Sequence, residues 1–226
     1  MTLSQAFSVT GGVTAVIGSG GKSSLLRALA RELPGTVILC TTTHILPFPG
    51  VPLLTAPTPE EVARALERSR VVCLGTPGPE GKLTAPALPL SLLSGLCDHV
   101  LVEADGSKRR PLKAHADHEP AVPPERRRVI CVAGASGFGQ EIAAAVHRPE
   151  RFCALTDADP ADPAIPELAA RALAAERLAD LVFLNQVDTP AGLPQARRFA
   201  SALKGQGFLV AAGSLRARTC RVLAEG

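Results

Sequence analysis

Val13-Thr14-Ala15-Val16-Ile17-Gly18-Ser19-Gly20-Gly21-Lys22-Ser23-Ser24 decides how the rest of the chain is read. Its apolar first half has the length and composition of a buried β-strand. Three glycines then turn the chain, and a helix is expected to start at Lys22 or Ser23. Glycine lets a backbone fold around an anion with its N–H groups pointing inward. A helix start adds partial positive charge at the same place. Lys22 has the reach to touch β- and γ-phosphates, and the Ser23 hydroxyl suits Mg²⁺. Gly18, Ser19, Gly20, Gly21, Lys22, Ser23 and Ser24 are therefore the expected phosphate-binding residues. The usual spacing G-x-x-x-x-G-K-[ST] would put its first glycine where Val16 stands, so this loop is two residues shorter. The alternative is a Gly-rich turn between a strand and a helix, with Lys22 in solvent.

Outward from the loop, Leu25, Leu26, Leu29 and Leu33 share one helical face, and Pro34-Gly35 stops the helix. Thr36–Cys40 reads as the second strand, giving the β–loop–α–β unit of a parallel sheet. The proline-rich residues 46–59 are expected to be irregular, with a short strand near Leu53-Leu54. A helix is expected over 59–69, a strand over Val71–Leu74, a turn or hairpin over 75–89 and a helix over 89–97. Further strands are expected at His99–Val102, Val129–Ala133, Leu181–Leu184 and Phe208–Ala211. Residues 106–128 read as a long functional loop with room for one helical turn. Helices are expected around 140–146, over 166–179, over 190–204 and, closing the chain, over 214–223, with a break at Asp157-Ala158-Asp159-Pro160 within 147–163. The alternation predicts one three-layer α/β domain over residues 1–226, with a mostly parallel central sheet.

Composition narrows the function. The chain has 226 residues, 46% of them hydrophobic, with no Trp or Tyr and 7 Phe, so the core must be built from Leu, Val and Ala. A formal charge of +3, from 24 basic and 21 acidic residues, gives no ground for nucleic-acid or membrane binding. No basic patch is interleaved with aromatics, as a single-strand stacking platform requires. The cysteines, at positions 40, 73, 97, 131, 153 and 220, lack C-x-x-C spacing. They read as small hydrophobes in a reducing cytoplasm. Met1–Phe7 lacks the pattern of a signal peptide. No apolar run is long enough to span a bilayer.

Two further motifs carry chemistry. Val100-Leu101-Val102-Glu103-Ala104-Asp105-Gly106 delivers two carboxylates at the end of a strand, where ligands bind in open α/β sheets. Glu103 and Asp105 are expected to hold Mg²⁺ or its water, or to orient attacking water; the alternative is an ordinary acidic turn. Gly106 is placed to bring a backbone N–H near a γ-phosphate. Asn185-Gln186-Val187-Asp188 resembles the N-K-x-D element of GTP-binding proteins, with Gln186 in place of the Lys. There Asp188 would read guanine and Asn185 would fix the loop; the alternative is a strand-ending turn. Thr41-Thr42-Thr43 ends the second strand, and Thr42 is a candidate metal or metal-water ligand. Ser107-Lys108-Arg109-Arg110-Pro111-Leu112-Lys113 sets four cations after the carboxylates, with Lys108 the candidate for transition-state charge. His115, His118 and Glu119 lie near one another in sequence, a weak metal pattern, and His147-Arg148-Pro149-Glu150 is a smaller polar cluster.

Together these residues resemble the YqeC family, described as selenium-dependent hydroxylase accessory proteins. The resemblance runs through Ile17–Ser23, Thr41–His44, Glu103–Lys108 continuing to Lys113, His118–Pro120, His147–Glu150 and Asn185–Asp188. It implies a cytoplasmic P-loop NTPase-like protein assisting maturation of molybdenum hydroxylases whose cofactor carries selenium. The leading expectation is an Mg²⁺-dependent NTPase using GTP or ATP, with Lys22, Glu103, Asp105 and Lys108 catalytic. Its partners would be the nucleotide and a molybdenum hydroxylase or its cofactor. The alternatives are a small-molecule kinase or nucleotidyl transferase with segment 106–120 as acceptor site, and a non-catalytic nucleotide- or anion-sensing scaffold.

Overall fold

Residues 1–224 are described by a computed structural model. The chain opens with α1 (Leu3–Ala6), closed by a capping box between Thr2 and Gln5. Strand β1 (Gly12–Gly18) follows and leads through the glycine loop into α2 (Lys22–Glu32). Leu25, Leu26 and Leu29 of α2 are fully buried, each contributing about 2 kcal/mol by leaving water. Next come β2 (Val37–Thr41), the two-residue β3 (Leu53–Leu54), α3 (Pro59–Arg68) and β4 (Val71–Leu74). Helix α3 starts as its sequence dictates, with a Thr58–Glu61 capping box and Pro59 in the first turn. The expected hairpin is β5 (Thr76–Pro77) against β6 (Leu83–Thr84), antiparallel. Then follow α4 (Leu90–Leu96), β7 (His99–Glu103), β8 (Leu112–Lys113), β9 (Arg126–Gly134), α5 (Ile142–Ala145), β10 (Val146–His147) and α6 (Pro149–Thr156). The described chain ends with α7 (Pro166–Glu176), β11 (Leu181–Asn185), α8 (Leu193–Leu203), β12 (Leu209–Ser214) and β13 (Thr219–Ala224).

Nine strands form one sheet in the order β13-β12-β11-β9-β1-β7-β2-β4-β3. Every pair is parallel except β12 with β13. Apolar side chains alternate between two covered faces, as a doubly wound sheet requires. Val16, Leu39, Leu101 and Phe183 meet α1 and α2 on one face. Val100, Val102 and Ile38 meet α3 and α4 on the other. Val182, Leu184 and Val210 meet α7 and α8 there. The fold is thus a three-layer α/β structure with a mostly parallel central sheet. Strand β1 lies between β7 and β9. Its chain leaves toward β2 on one side, whereas the chain from β7 crosses β1 to reach β9. Ligands bind at the carboxyl ends of strands beside such a reversal.

Three local expectations are corrected. Residues 214–223 are not a closing helix: β12 turns through Ser214 and Arg218 into β13. Thr219, Cys220 and Val222 favour an extended chain, Thr219 Oγ1 accepts from Ser214 N (3.0 Å), and Arg218 has φ +56°. The break expected at Asp157–Pro160 is present: α6 starts at Pro149 and stops at Asp157 in the left-handed region. Segment 106–128 has no helical turn; β8 inside it pairs in parallel with β10. The helix expected at 140–146 shortens to α5, preceded by one 3₁₀ turn over Ala135–Gly137. Among the described residues no helix is long and apolar enough to cross a membrane. All six cysteines are free thiols.

Candidate functional site

The glycine loop leaves β1 under close backbone constraint. Gly18 N donates to Asp105 Oδ2 (2.8 Å) and Ser19 N donates to the Val132 carbonyl (2.8 Å). The Ser19 hydroxyl donates to the Arg110 carbonyl, so it faces the neighbouring segment and stands apart from the cleft. Gly20 (φ +81°) lies so near β9 that a Cβ there would sit 2.5 Å from Gly134 Cα. Gly21 has φ +134°, a backbone open to glycine almost alone. Helix α2 begins at the next residue, and its first backbone bond is Leu25 N to the Gly21 carbonyl. The N–H groups of Gly20, Gly21, Lys22, Ser23 and Ser24 have no protein acceptor among the described residues. All five residues line one cleft of about 1310 Å³.

Lys22 folds back beneath the loop and is 5% exposed. Its ammonium donates to the Gly18 carbonyl (2.9 Å) and Ser107 Oγ (3.1 Å). It lies 3.2 Å from Asp105 Oδ1 and 3.8 Å from Glu103 Oε1. Glu103 lines the cleft, and its Oε2 accepts from Ser23 Oγ (2.7 Å). Burial raises the Glu103 pKa, against the opposing pull of Lys22 and Ser23.

Asp105 stands elsewhere. Its side chain has no exposure and does not line the cleft. Oδ2 takes Gly18 N, Lys113 Nζ (2.9 Å) and His115 Nε2 (2.9 Å). Burial works to raise its pKa, but the His115 hydrogen bond and the charges of Lys22 and Lys113 outweigh it, lowering it to about 2. The roles expected of Asp105, in holding Mg²⁺ and in orienting water, find no geometry here; it organises the loop from behind. His115 donates its other ring nitrogen to Glu176 Oε2 (2.7 Å) on α7. Both ring N–H groups thus face carboxylates, which raise the His115 pKa against its burial.

Other expected site residues are also redistributed. The Thr42 hydroxyl donates to the Ala121 carbonyl (2.7 Å), and Thr42 does not line the cleft. Thr41 Oγ1 donates to the Glu103 carbonyl (2.8 Å). Asn185 clamps the loop: Nδ2 donates to the Gly20 carbonyl (2.8 Å) and Oδ1 accepts from Leu215 N (3.0 Å). Asp188 is exposed, lies off the cleft lining and accepts from the Ser214 hydroxyl. Lys108 does line the cleft. His115, His118 and Glu119 do not converge, and no group of three or more His, Cys, Asp or Glu side chains among the described residues is arranged to hold a metal.

A family model described as "YqeC protein" matches residues 14–150. The chain belongs to the YqeC family. A curated relative from Escherichia coli (strain K12), named "Uncharacterized protein YqeC", is 34% identical over 158 residues. That alignment covers 66% of this chain and 62% of the relative, so the chain spans less than two thirds of that protein's length. The YqeC-matched segment holds the glycine loop, Glu103, the cationic run and His147–Glu150. Asn185 and the β12–β13 hairpin, which tie down the loop, lie beyond it.

The YqeC segment also builds the opposite wall of the cleft, largely illegible in sequence. Lys113 is enclosed between Asp105 Oδ2 and Glu119 Oε2 (2.8 Å). Glu119 is gripped bidentately by Arg148, at 2.7 and 2.9 Å. Arg148 Nη1 also donates to His147 Nε2 (3.1 Å). Burial and the charges of Arg148 and Lys113 lower the His147 pKa to about 4. One chain of alternating charge, buried at Lys22, Asp105 and Lys113 and half-buried at Glu119 and Arg148, therefore links these residues. Above it, Ser107–Arg110 forms a tight turn closed by Arg110 N to the Ser107 carbonyl (3.0 Å). Lys108 and Arg109 occupy its centre at φ +46° and +60°. Side chains other than Gly, Asn and Asp rarely take such angles, at a cost of about 1 kcal/mol or more each.

Proposed function

We propose that this chain binds a nucleoside triphosphate with Mg²⁺ and hydrolyses it slowly. The single observation that carries this is the row of unpartnered N–H groups from Gly20 to Ser24, at the start of α2, facing the cleft beside Ser23 and Glu103. Such a row is an anion site by construction. Lys22 lies beneath it, held by the Gly18 carbonyl and Ser107, and exchanges those neutral partners for phosphate oxygen when the anion arrives. Ser23 Oγ and Glu103 Oε2 are two hard oxygen donors 2.7 Å apart, a pairing that fits Mg²⁺, which takes one or two protein oxygens and completes its shell with phosphate and water. Bound there, the ion supplies neutralisation of charge across the β- and γ-phosphates. Glu103 takes over the orienting role, accepting from a water aligned on the γ-phosphorus. Attack forms the new P–O bond as the bond to the β–γ bridging oxygen breaks; the water's proton passes to Glu103, and the products are the nucleoside diphosphate and inorganic phosphate. Lys108, on the cleft wall, offsets charge that develops on the leaving group.

The biological setting rests on family membership. In it, hydrolysis gates the delivery of a cofactor to a molybdenum hydroxylase carrying selenium, in the cytoplasm. A second reading, transfer of a phosphoryl or nucleotidyl group to a small acceptor, is favoured by the size of the cleft and by the polar wall opposite the loop.

The test is thermal stabilisation by ATP and GTP, with and without Mg²⁺, alongside phosphate release. Wild type is expected to be stabilised, more so with Mg²⁺, and Lys22→Ala to lose the effect. Because Lys22 is buried, Ser23→Ala serves as the milder variant: it should fold normally and lose only the Mg²⁺ increment. Absence of stabilisation in wild type by either nucleotide rejects the proposal. A modified acceptor in place of free phosphate would favour transfer.

A further inference from the structure

We infer that the cleft contains a second subsite, for a small molecule bearing a phosphate group, between the Ser107–Arg110 turn and Arg148. It rests on the nucleotide reading in one respect: the glycine loop is taken as the first subsite, so that this one is a neighbour.

Space is the first observation. The cleft measures about 1310 Å³, whereas pockets for one small ligand occupy roughly 300–1,000 Å³. Its walls differ in kind. The Gly20–Ser24 wall offers backbone N–H groups, while the opposite wall offers His147, Arg148 and Glu150.

Charge is the second. Lys108, Arg109 and Arg110 all line the cleft and all are exposed. Among the described residues none of the three has a carboxylate partner within ion-pair distance. Yet the turn is fixed at both ends to the glycine loop, through Ser107 Oγ with Lys22 and the Arg110 carbonyl with Ser19. The backbone of the turn is thus pinned, and three like charges leave it side by side toward the cleft, a place an anion would favour. Arg148 lines the same cleft with part of its guanidinium still free, since Glu119 and His147 use only Nη1 and Nη2. His147, whose pKa burial and then the charges of Arg148 and Lys113 lower to about 4, adds no charge of its own. So many cations select a dianion, and a phosphate monoester carries close to two negative charges at neutral pH. A monocarboxylate would leave most of the cluster unpaired. Lys22 and five N–H groups already serve the polyphosphate, so Arg109, Arg110 and Arg148 remain for the second ligand.

Phenyl phosphate is the probe, with benzoate as its carboxylate counterpart. Titrations are run by calorimetry on the full chain saturated with Mg²⁺ and methylene-bridged ATP. One phenyl phosphate is expected to bind per chain, with benzoate weaker by about tenfold or more. Arg109→Ala and Arg148→Gln should each weaken phenyl phosphate by about tenfold and leave nucleotide affinity within about twofold. Arg148→Gln strips Glu119 of a partner and carries a folding risk. Arg109→Ala removes an exposed side chain that makes no ion pair among the described residues, and keeps the test valid. Displacement of the nucleotide by phenyl phosphate, equal binding to all variants, or no binding at millimolar probe would overturn the subsite. Should wild type bind phenyl phosphate in an Arg148-dependent way but no nucleotide, the nucleotide reading falls and the subsite stands.

Discussion

Asp105 concentrates the cost of this architecture in one side chain. It accepts from Gly18 N, Lys113 and His115, and faces Lys22, with no access to water. Removing it strands buried cations, which typically costs about 3–5 kcal/mol. Asp105→Ala is therefore expected to lower the free energy of urea unfolding by about that amount. Asp188→Ala, on an exposed carboxylate, should stay within about 0.5 kcal/mol. His115 gives the same cluster a pH signature. Its pKa is raised above the ordinary 6.5 by Asp105 and Glu176, against burial, with Lys113 and Lys22 nearby. A raised pKa means that the folded state holds the proton more tightly. The stabilisation is then complete below the unfolded value and is lost as pH rises through the folded one. Wild type should lose more stability than His115→Gln between neutral and alkaline pH, as read by urea midpoints. Parallel slopes for the two would show that His115 is not the proton-linked group.

At the scale of elements, the glycine loop makes its prediction through space. A Cβ at Gly20 would lie 2.5 Å from both Gly134 N and Gly134 Cα, and φ +81° disfavours any side chain. Gly20→Ala should push the loop off β9 and abolish nucleotide-dependent stabilisation while the sheet stays folded by circular dichroism. At Gly106 a Cβ meets open space, so Gly106→Ala should bind nearly as wild type. The loop and α2 were legible because local rules govern them: glycines at the turn, leucines at 25, 26 and 29, and Pro34 as the stop. The parallel strands were legible because both faces are buried, leaving short apolar runs such as Val71–Leu74. Residues 214–223 misled because they lack glycine and proline, and the extended preference of Thr219, Cys220 and Val222 prevails only with pairing to β12. The function of His115 was hidden for a related reason. Its partner Glu176 is far along the chain on an alanine-rich helix, and no local pattern marks their meeting. Asp105 looked like a ligand because strand ends commonly present carboxylates to substrate. Sequence alone gives no sign that Lys113 and His115 would enclose it.

For the whole molecule, the cleft lies where β1, β7, β9 and β11 end together, and the base selectivity expected of the proposed nucleotide site follows from what closes that edge. Asn185 uses both ends of its amide, on the Gly20 carbonyl and Leu215 N, so it braces the loop against the β12–β13 hairpin. Asp188 is turned to Ser214 of that hairpin and lies off the cleft lining. Neither group is free to read the edge of a purine. ATP and GTP should therefore stabilise the protein equally, by about 2.7 kcal/mol each at a hundredfold excess over Kd. Asp188→Ala should leave both shifts unchanged. Asn185→Ala should weaken both alike, because it removes two hydrogen bonds to the loop brace, each worth about 1 kcal/mol. Melting temperatures of the three proteins with each nucleotide measure this directly. A GTP preference in wild type that disappears in Asp188→Ala would mean that the hairpin releases Asp188 to the base, and that the resting arrangement is not the one that binds.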